Sequence, residues 1–147
     1  MKKIIIVLTI VLLNILNISA QKITNADDLK KFYIKYLTYN IDLSCEKAQD
    51  SLVKESCTKE FYIAWNEDVN EIGLYDPLTN GYFDDIDLMR SSLFVVKDRE
   101  SYIVSFKHIR TFPEHKVEME RVIVYVNSEG KISHTVRPSD NYWTPTK

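Results

Sequence analysis

The chain has 147 residues, of which 45% are hydrophobic, with only three glycines and four prolines, and this composition excludes a disordered protein. Its 19 basic and 21 acidic residues give a net charge of −2 and form no basic cluster. The chain therefore lacks the electrostatic footprint of a protein that binds nucleic acid or an anionic membrane surface.

The first twenty residues form a predicted export signal. Lys2 and Lys3 precede an apolar run, and Ala20 before Gln21 is a small residue where a signal peptidase would cut. Two asparagines interrupt the run before it reaches the roughly 20 residues that a membrane span needs. We therefore expect residues 1–20 to be removed, no stable membrane anchor, and a location in the periplasm or outside the cell.

Helices are predicted next. Asn25 is a good N-cap for an amphipathic helix over residues 26–38. A second helical region is predicted over residues 50–65 in two pieces, with Thr58 capping the second piece. The apolar side chains of the first helix recur at helical spacing and are Leu29, Phe32, Tyr33, Tyr36 and Leu37.

The two cysteines, Cys45 and Cys57, form the one possible intramolecular pair. An oxidising compartment makes a disulfide the leading interpretation. An unbroken helix between them would hold their Cα atoms about 18 Å apart, beyond the roughly 7 Å limit for a bridge. The disulfide therefore requires a bend, for which Asp50 and Ser51 are candidates, and the alternative is two separately buried thiols.

An irregular connection is predicted over residues 66–87, and strands follow it. Short links join the strands, so an antiparallel meander is expected. Helices followed by strands predict an α+β domain over residues 21–137, with residues 138–147 as a C-terminal tail. The four predicted strands are residues 93–96, 102–109, 117–126 and 131–136.

The last hairpin allows a prediction of side-chain direction. If Gly130 adopts a left-handed conformation, Val126 pairs with Ile132, and pairing continues in step toward the other end. His134 would then lie on the inner face opposite Val124, with Val122 opposite Val136. The outer face would carry Arg121, Ile123, Tyr125, Ser133 and Thr135.

Several short motifs, taken in order, resemble those of a known group. The chain resembles the small exported bacterial proteins of unknown function grouped as YbjP/YqhG-like, whose fold is similar to the NTF2-like or cystatin-like cone. The resemblance implies helices packed on a curved four-stranded antiparallel sheet, and it supplies no catalytic residues. The matching segments are residues 29–33, 57–58, 75–78, 84–85, 102–106 and 130–132.

His134 and the aromatic side chains are the main candidate site residues. An inward-facing His134 is a candidate acid or base with Asp76 as its partner, and a packed core histidine is the competing interpretation. A ligand pocket lined by aromatic rings and His134 competes with an ordinary core. Those candidate ring residues are Tyr33, Tyr36, Tyr62 and Trp65.

Acidic residues cluster in the irregular connection. Asp76, Asp84, Asp85 and Asp87 offer oxygen ligands for calcium, but their spacing does not match an EF-hand, so solvated or capping roles are expected. We predict no metal and no cofactor.

Three functions remain open at this point. The first is non-enzymatic binding of a small apolar ligand, a peptide or a partner protein, with a possible weak homodimer through the outer sheet face. The second is an enzyme that uses a cone pocket with His134 and Asp76. The third is an immunity or inhibitor protein whose exposed acidic connection, residues 76–87, plugs the basic site of a partner.

Overall fold

The structure is a computed structural model. The predicted export signal and the last nine residues lie outside the residues it describes. Within the described ranges, no helix combines the length and the apolar character that a membrane crossing requires. The described ranges are residues 22–40, 45–72, 76–81, 85–110 and 115–138.

Helix α1 (Ala26–Tyr39) confirms the first helix prediction. The Asn25 side chain accepts a hydrogen bond from the Asp28 amide at 2.9 Å, which satisfies one of the free donors at the helix start. Asp27 and Asp28 lie in the first turn, where carboxylates interact favourably with the helix dipole. The predicted apolar stripe is the buried face of the helix.

The second helical region is divided in two, as predicted. Helix α2 (Glu46–Ser56) is followed by α3 (Lys59–Asn66), and the Thr58 hydroxyl accepts from the Phe61 amide at 3.3 Å. The predicted irregular connection is wrong at both ends. A π-helical segment (Glu67–Ile72) extends α3, and a short helix α4 (Ile86–Ser91) begins at an Asp85 cap.

The cysteines lie at the two ends of α2 and are not joined to each other. The 11 residues of α2 form one uninterrupted helix, and a helical rise of about 1.5 Å per residue separates the Cα atoms of the two cysteines by roughly 18 Å, far more than a disulfide spans. The bend that the disulfide prediction required is therefore absent. Cys57 is buried in the core, as the alternative interpretation expected, whereas Cys45 is partly exposed.

The strands form one four-stranded antiparallel sheet in the order β1-β2-β3-β4, which confirms the meander and the α+β class. The inner face of this sheet is the one that packs against the helices. Its buried side chains include Tyr102, Val104, Phe106, Val122 and Val124. The strands are β1 (Phe94–Asp98), β2 (Ser101–Arg110), β3 (Lys116–Val126) and β4 (Ile132–Val136).

The last hairpin follows the prediction at its turn and departs from it afterwards. Gly130 has a φ of 78°, and Val126 pairs with Ile132, as predicted. A bulge then leaves Ser133 without a direct partner, and His134 pairs with Tyr125. Because the side-chain period of a strand is two, this one-residue shift moves His134 to the outer face.

Candidate functional site

Residues 76–81 form a turn, here called the inner turn, which is built into the core beside the inner face. Leu78 and Thr79 are fully buried, and Leu78 belongs to the core cluster. The Thr135 hydroxyl of β4 donates to the Pro77 carbonyl at 2.9 Å. The inner turn therefore occupies space that an open pocket beneath the sheet would need.

Asp76 anchors the first end of the inner turn. Its Oδ1 accepts from the Leu78 amide at 2.8 Å, and its Oδ2 accepts from the hydroxyls of Tyr36 at 2.8 Å and Thr79 at 3.0 Å. Burial raises the pKa of Asp76 to about 6, although these donors act in the opposite direction. Asp76 is thus a buried carboxylate held by hydrogen bonds. The predicted solvated role is wrong for it, whereas its bond from the Leu78 amide agrees with the predicted capping role.

The predicted aromatic residues do come together next to Asp76. Trp65 Nε1 donates to the Tyr36 hydroxyl at 3.1 Å, and the Tyr62 and Trp65 rings stack with centroids 6.2 Å apart. The Tyr33 hydroxyl is fully buried and has no hydrogen-bond partner among the described residues. Burial, and then the nearby Asp76 carboxylate, raise the pKa values of Tyr33 and Tyr36. Apart from the partly exposed Tyr62, these rings are core residues.

Glu120 anchors the other end of the inner turn. Its Oε1 accepts from the Asn80 side-chain amide at 2.8 Å. Its Oε2 lies 3.6 Å from an Arg137 guanidinium nitrogen and 4.0 Å from Nε2 of the buried His108. Asn80 holds a φ of 55°, a conformation that asparagine tolerates better than most residues. Both carboxylate oxygens of Glu120 are engaged, so this group acts as an anchor.

Sequence reasoning did not identify Glu120 or Asn80. One signal was present, because strand alternation puts Glu120 on the same face as Val122 and Val124. The register of β2 on β3, which pairs Phe106 with Glu120, is what brings Glu120 beside His108. That register depends on the link between the strands, which shows no recognisable turn sequence.

His134 does not lie where the sequence predicted it. Its ring is exposed on the outer face and stacks on Tyr125, with centroids 4.1 Å apart and planes 9° apart. Asp76 lies on the helix-covered side of the sheet, so His134 and Asp76 are not brought together as an acid–base pair. Thr135, predicted to face outward, instead faces inward, where it contacts Pro77.

The acidic connection does not form a cation site in the described residues. Asp85 caps α4 by accepting from the Leu88 amide at 2.9 Å, and Asp87 lies 4.0 Å from Arg90. Asp84 lies outside the described residues. No group of three or more His, Cys, Asp or Glu side chains suited to a metal ion occurs in the described ranges. Of the acidic residues that the inhibitor interpretation needs exposed, Asp76 is buried and Asp87 is exposed.

The outer face holds the remaining candidate. Val96, Ile103, Ile123 and Val136 stand in register across all four strands and are here called the outer row. None of the four belongs to the core cluster. Phe94, on β1 beside this row, is 60% exposed. Ile103 is only 5% exposed, Val96 and Ile123 are half-buried, and Val136 is 44% exposed, so the outer row is an apolar stripe that is partly open to water.

Comparisons with known proteins bear on the fold alone. No protein-family model and no curated protein matches the chain. A crystal structure of a protein of unknown function from Bacteroides thetaiotaomicron is similar, with a TM-score of 0.54 and 18% sequence identity. The match covers 73% of this chain and 84% of that one. The resemblance to the YbjP/YqhG-like proteins stays a prediction.

Proposed function

We propose that this chain is a non-enzymatic, exported binding domain that binds a protein partner through the outer face of its sheet. Support comes chiefly from the outer row, where four aliphatic side chains stand side by side outside the core cluster. Removing apolar surface from water is worth about 25 cal/mol per Å², so covering the exposed part of this face, chiefly Phe94 and Val136, is favourable. The packed inner turn favours this site over a ligand pocket beneath the sheet.

The proposed partner is a second copy of the chain. Its outer face offers the same row, and the flanking charges are mixed, with Lys107 and Arg121 on one side and Asp98 on the other. Two copies can therefore meet without a large field of one sign. A closed pair of identical faces is also the commonest symmetry among soluble oligomers.

The size of the face limits the strength of this dimer. Four strands about 4.8 Å apart, with about 3.3 Å per residue, give a flat area of roughly 500 Å² per copy. Two copies would bury roughly 1,000 Å² in total, which is below the roughly 1,600 Å² of a standard stable interface. We therefore expect a weak dimer that forms at high protein concentration.

The proposal includes an NTF2-like cone fold and location in the periplasm or outside the cell. The cone is supported by helices packed on one face of a four-stranded meander and by the motif resemblance. The compartment is supported by the sequence of residues 1–20, which lie outside the described residues. Intact-mass analysis of protein from its host should show that these residues have been removed, whereas a mature species that retains Lys2 and Lys3 would contradict export.

Sedimentation velocity over a wide concentration range tests the binding surface. The unaltered chain should shift toward a dimer as concentration rises, and Ile123→Lys should abolish the shift. Ile63→Lys is the matched control, because it makes the same chemical change at a 45% exposed position on α3. A strict monomer at the highest concentration, or equal behaviour of the two variants, would contradict the proposed dimer surface.

A further inference from the structure

The inner turn is tied to the rest of the chain by one carboxylate at each end. At the first end, Asp76 binds Tyr36 of α1, and at the other end Asn80 binds Glu120 of β3. Backbone bonds tighten the turn itself, since the amides of Thr79 and Gly81 donate to the Asp76 carbonyl at 3.2 and 3.0 Å. Movement of the turn therefore requires these side-chain anchors to loosen.

The two anchors differ in how their charge is compensated. Glu120 has Arg137 and His108 within 4.0 Å, whereas the described part of the chain offers Asp76 no basic partner. Asp76 is only 3% exposed, so water does little to stabilise its charge. An ionised Asp76 thus depends on hydrogen-bond donors alone, and a buried charge held in this way is costly.

The groups that face Asp76 are few and uncharged. Tyr36 and Tyr33 face it from α1, and both phenols stay neutral because their pKa values are raised. From α3, Trp65 contributes an indole N–H through Tyr36, and from the turn Thr79 contributes a hydroxyl. None of these groups changes charge in mild acid, so Asp76 is the titrating member of this cluster.

We propose that the inner turn is a pH-responsive latch on the inner face, held most tightly when Asp76 is protonated and loosened when Asp76 ionises. Burial raises the pKa of Asp76 to about 6, which puts the change between mild acid and neutral pH. The protonated acid carries no buried charge and gains a hydroxyl that can donate. The fully buried Tyr33 hydroxyl has no hydrogen-bond partner among the described residues, and it lies near enough to Asp76 for the carboxylate to raise its pKa. Loosening of the turn would expose Leu78, which is fully buried in the closed state, and the core surface that it covers.

Hydrogen exchange at the amides of Leu78, Thr79 and Gly81 tests the latch directly. After correction for the intrinsic pH dependence of exchange, protection should fall at least about tenfold between about pH 4.5 and about pH 7.5. Each unit by which the pKa of Asp76 in the closed turn exceeds its pKa in the open turn changes the opening equilibrium by a factor of about ten. In Asp76→Asn the corrected protection should be independent of pH. Equal protection at both pH values in the unaltered chain would overturn the latch.

Tryptophan fluorescence gives a second measurement, because hydrogen bonds connect Trp65 to Tyr36 and Tyr36 to Asp76. In a Trp143→Phe background, Trp65 emission should change with a midpoint at about pH 6. His108→Gln, which removes the buried imidazole beside Glu120 at the other end of the inner turn, should leave the midpoint in place. A transition that survives Asp76→Asn, or that disappears with His108→Gln, would overturn the assignment.

Tyr36→Phe keeps the test decisive if Asp76→Asn fails to fold. The Tyr36 hydroxyl donates to the carboxylate and so stabilises the ionised form. Its removal should raise the midpoint pH of the hydrogen-exchange transition at the Leu78 amide above that of the unaltered chain, even though the aromatic ring is retained. An unchanged or lowered midpoint would show that Asp76 is not the titrating group.

Discussion

The inner and outer faces of the sheet are made by alternate residues of the same four strands, yet their environments differ sharply. Val104 and Phe106 point inward and are fully buried, whereas Phe94 and Met119 point outward and are 60% and 48% exposed. Both faces are rich in apolar side chains. Apolar character therefore does not mark the core here; the helices and the inner turn do, because they cover one face of the sheet and leave the other uncovered.

The largest expected difference between the two faces is the loss of stability when a large side chain is truncated. Phe106→Ala should lower the free energy of unfolding by about 3–5 kcal/mol, because it removes a fully buried ring. Phe94→Ala, the same change at an exposed outer position, should cost less than about 1 kcal/mol. Urea denaturation of both variants measures the difference, and similar losses would show that the faces are not distinct in packing.

The pH dependence of stability sharpens the account of the inner face. The pKa of Asp76 in the folded chain, about 6, lies above its ordinary value near 3.9. The contribution of protonated Asp76 to the free energy of unfolding is therefore fully present below about pH 4 and is lost as the pH rises through about 6. The loss should approach about 3 kcal/mol. Denaturation of the unaltered chain and of Asp76→Asn should show that their difference in free energy of unfolding changes with pH across this window. A difference that stays constant would contradict a buried Asp76 with a raised pKa.

The hairpin turn joins β3 to β4 and packs against the residues before α1. Gly130 has a positive φ, and a Cβ there would meet Lys22 Cγ and lie 3.0 Å from the Ile23 carbonyl oxygen. Gly130→Ala should therefore destabilise the chain by about 1–3 kcal/mol, measured by thermal unfolding. Ser128→Ala, at an exposed position of the same turn, is the control and should change stability by less than about 0.5 kcal/mol.

Labelling of the two cysteines compares a partly exposed position with a core position, and it requires no substitution. Cys45 is partly exposed and should label readily in the native chain, whereas Cys57 should label only on unfolding, since burial suppresses its thiolate by raising its pKa. Denatured, unreduced protein should yield two labelled cysteines. Protein from the host that yields none would support the disulfide prediction and would require α2 to bend.

The elements could be predicted because their signals are local. The Asn25 and Thr58 caps, the stripe of α1 and the alternation of the strands depend on residues a few positions apart. The turn at Gly130 was likewise predictable from its glycine. These features confirm the α+β class without any knowledge of long-range contacts.

The site could not be predicted because it depends on register and on long-range packing. The bulge at Ser133 has no glycine or other marker in the sequence, and it reverses the direction of His134. In the sequence, Asp76 has the pattern of an ordinary exposed turn residue. Its burial depends on the contact with Tyr36, which lies forty positions earlier in the chain. Glu120 meets Asn80 across a similar separation.

Concentration-dependent NMR spectra test the central claim that the outer face is the binding surface. On dilution from high concentration, the amide signals of Ile103, Ile123 and Val136 should move together along one binding curve, while those of Val104 and Val122 should shift far less. Signals that move only on the outer surface of the helices, or that do not move at all, would contradict binding through the outer row.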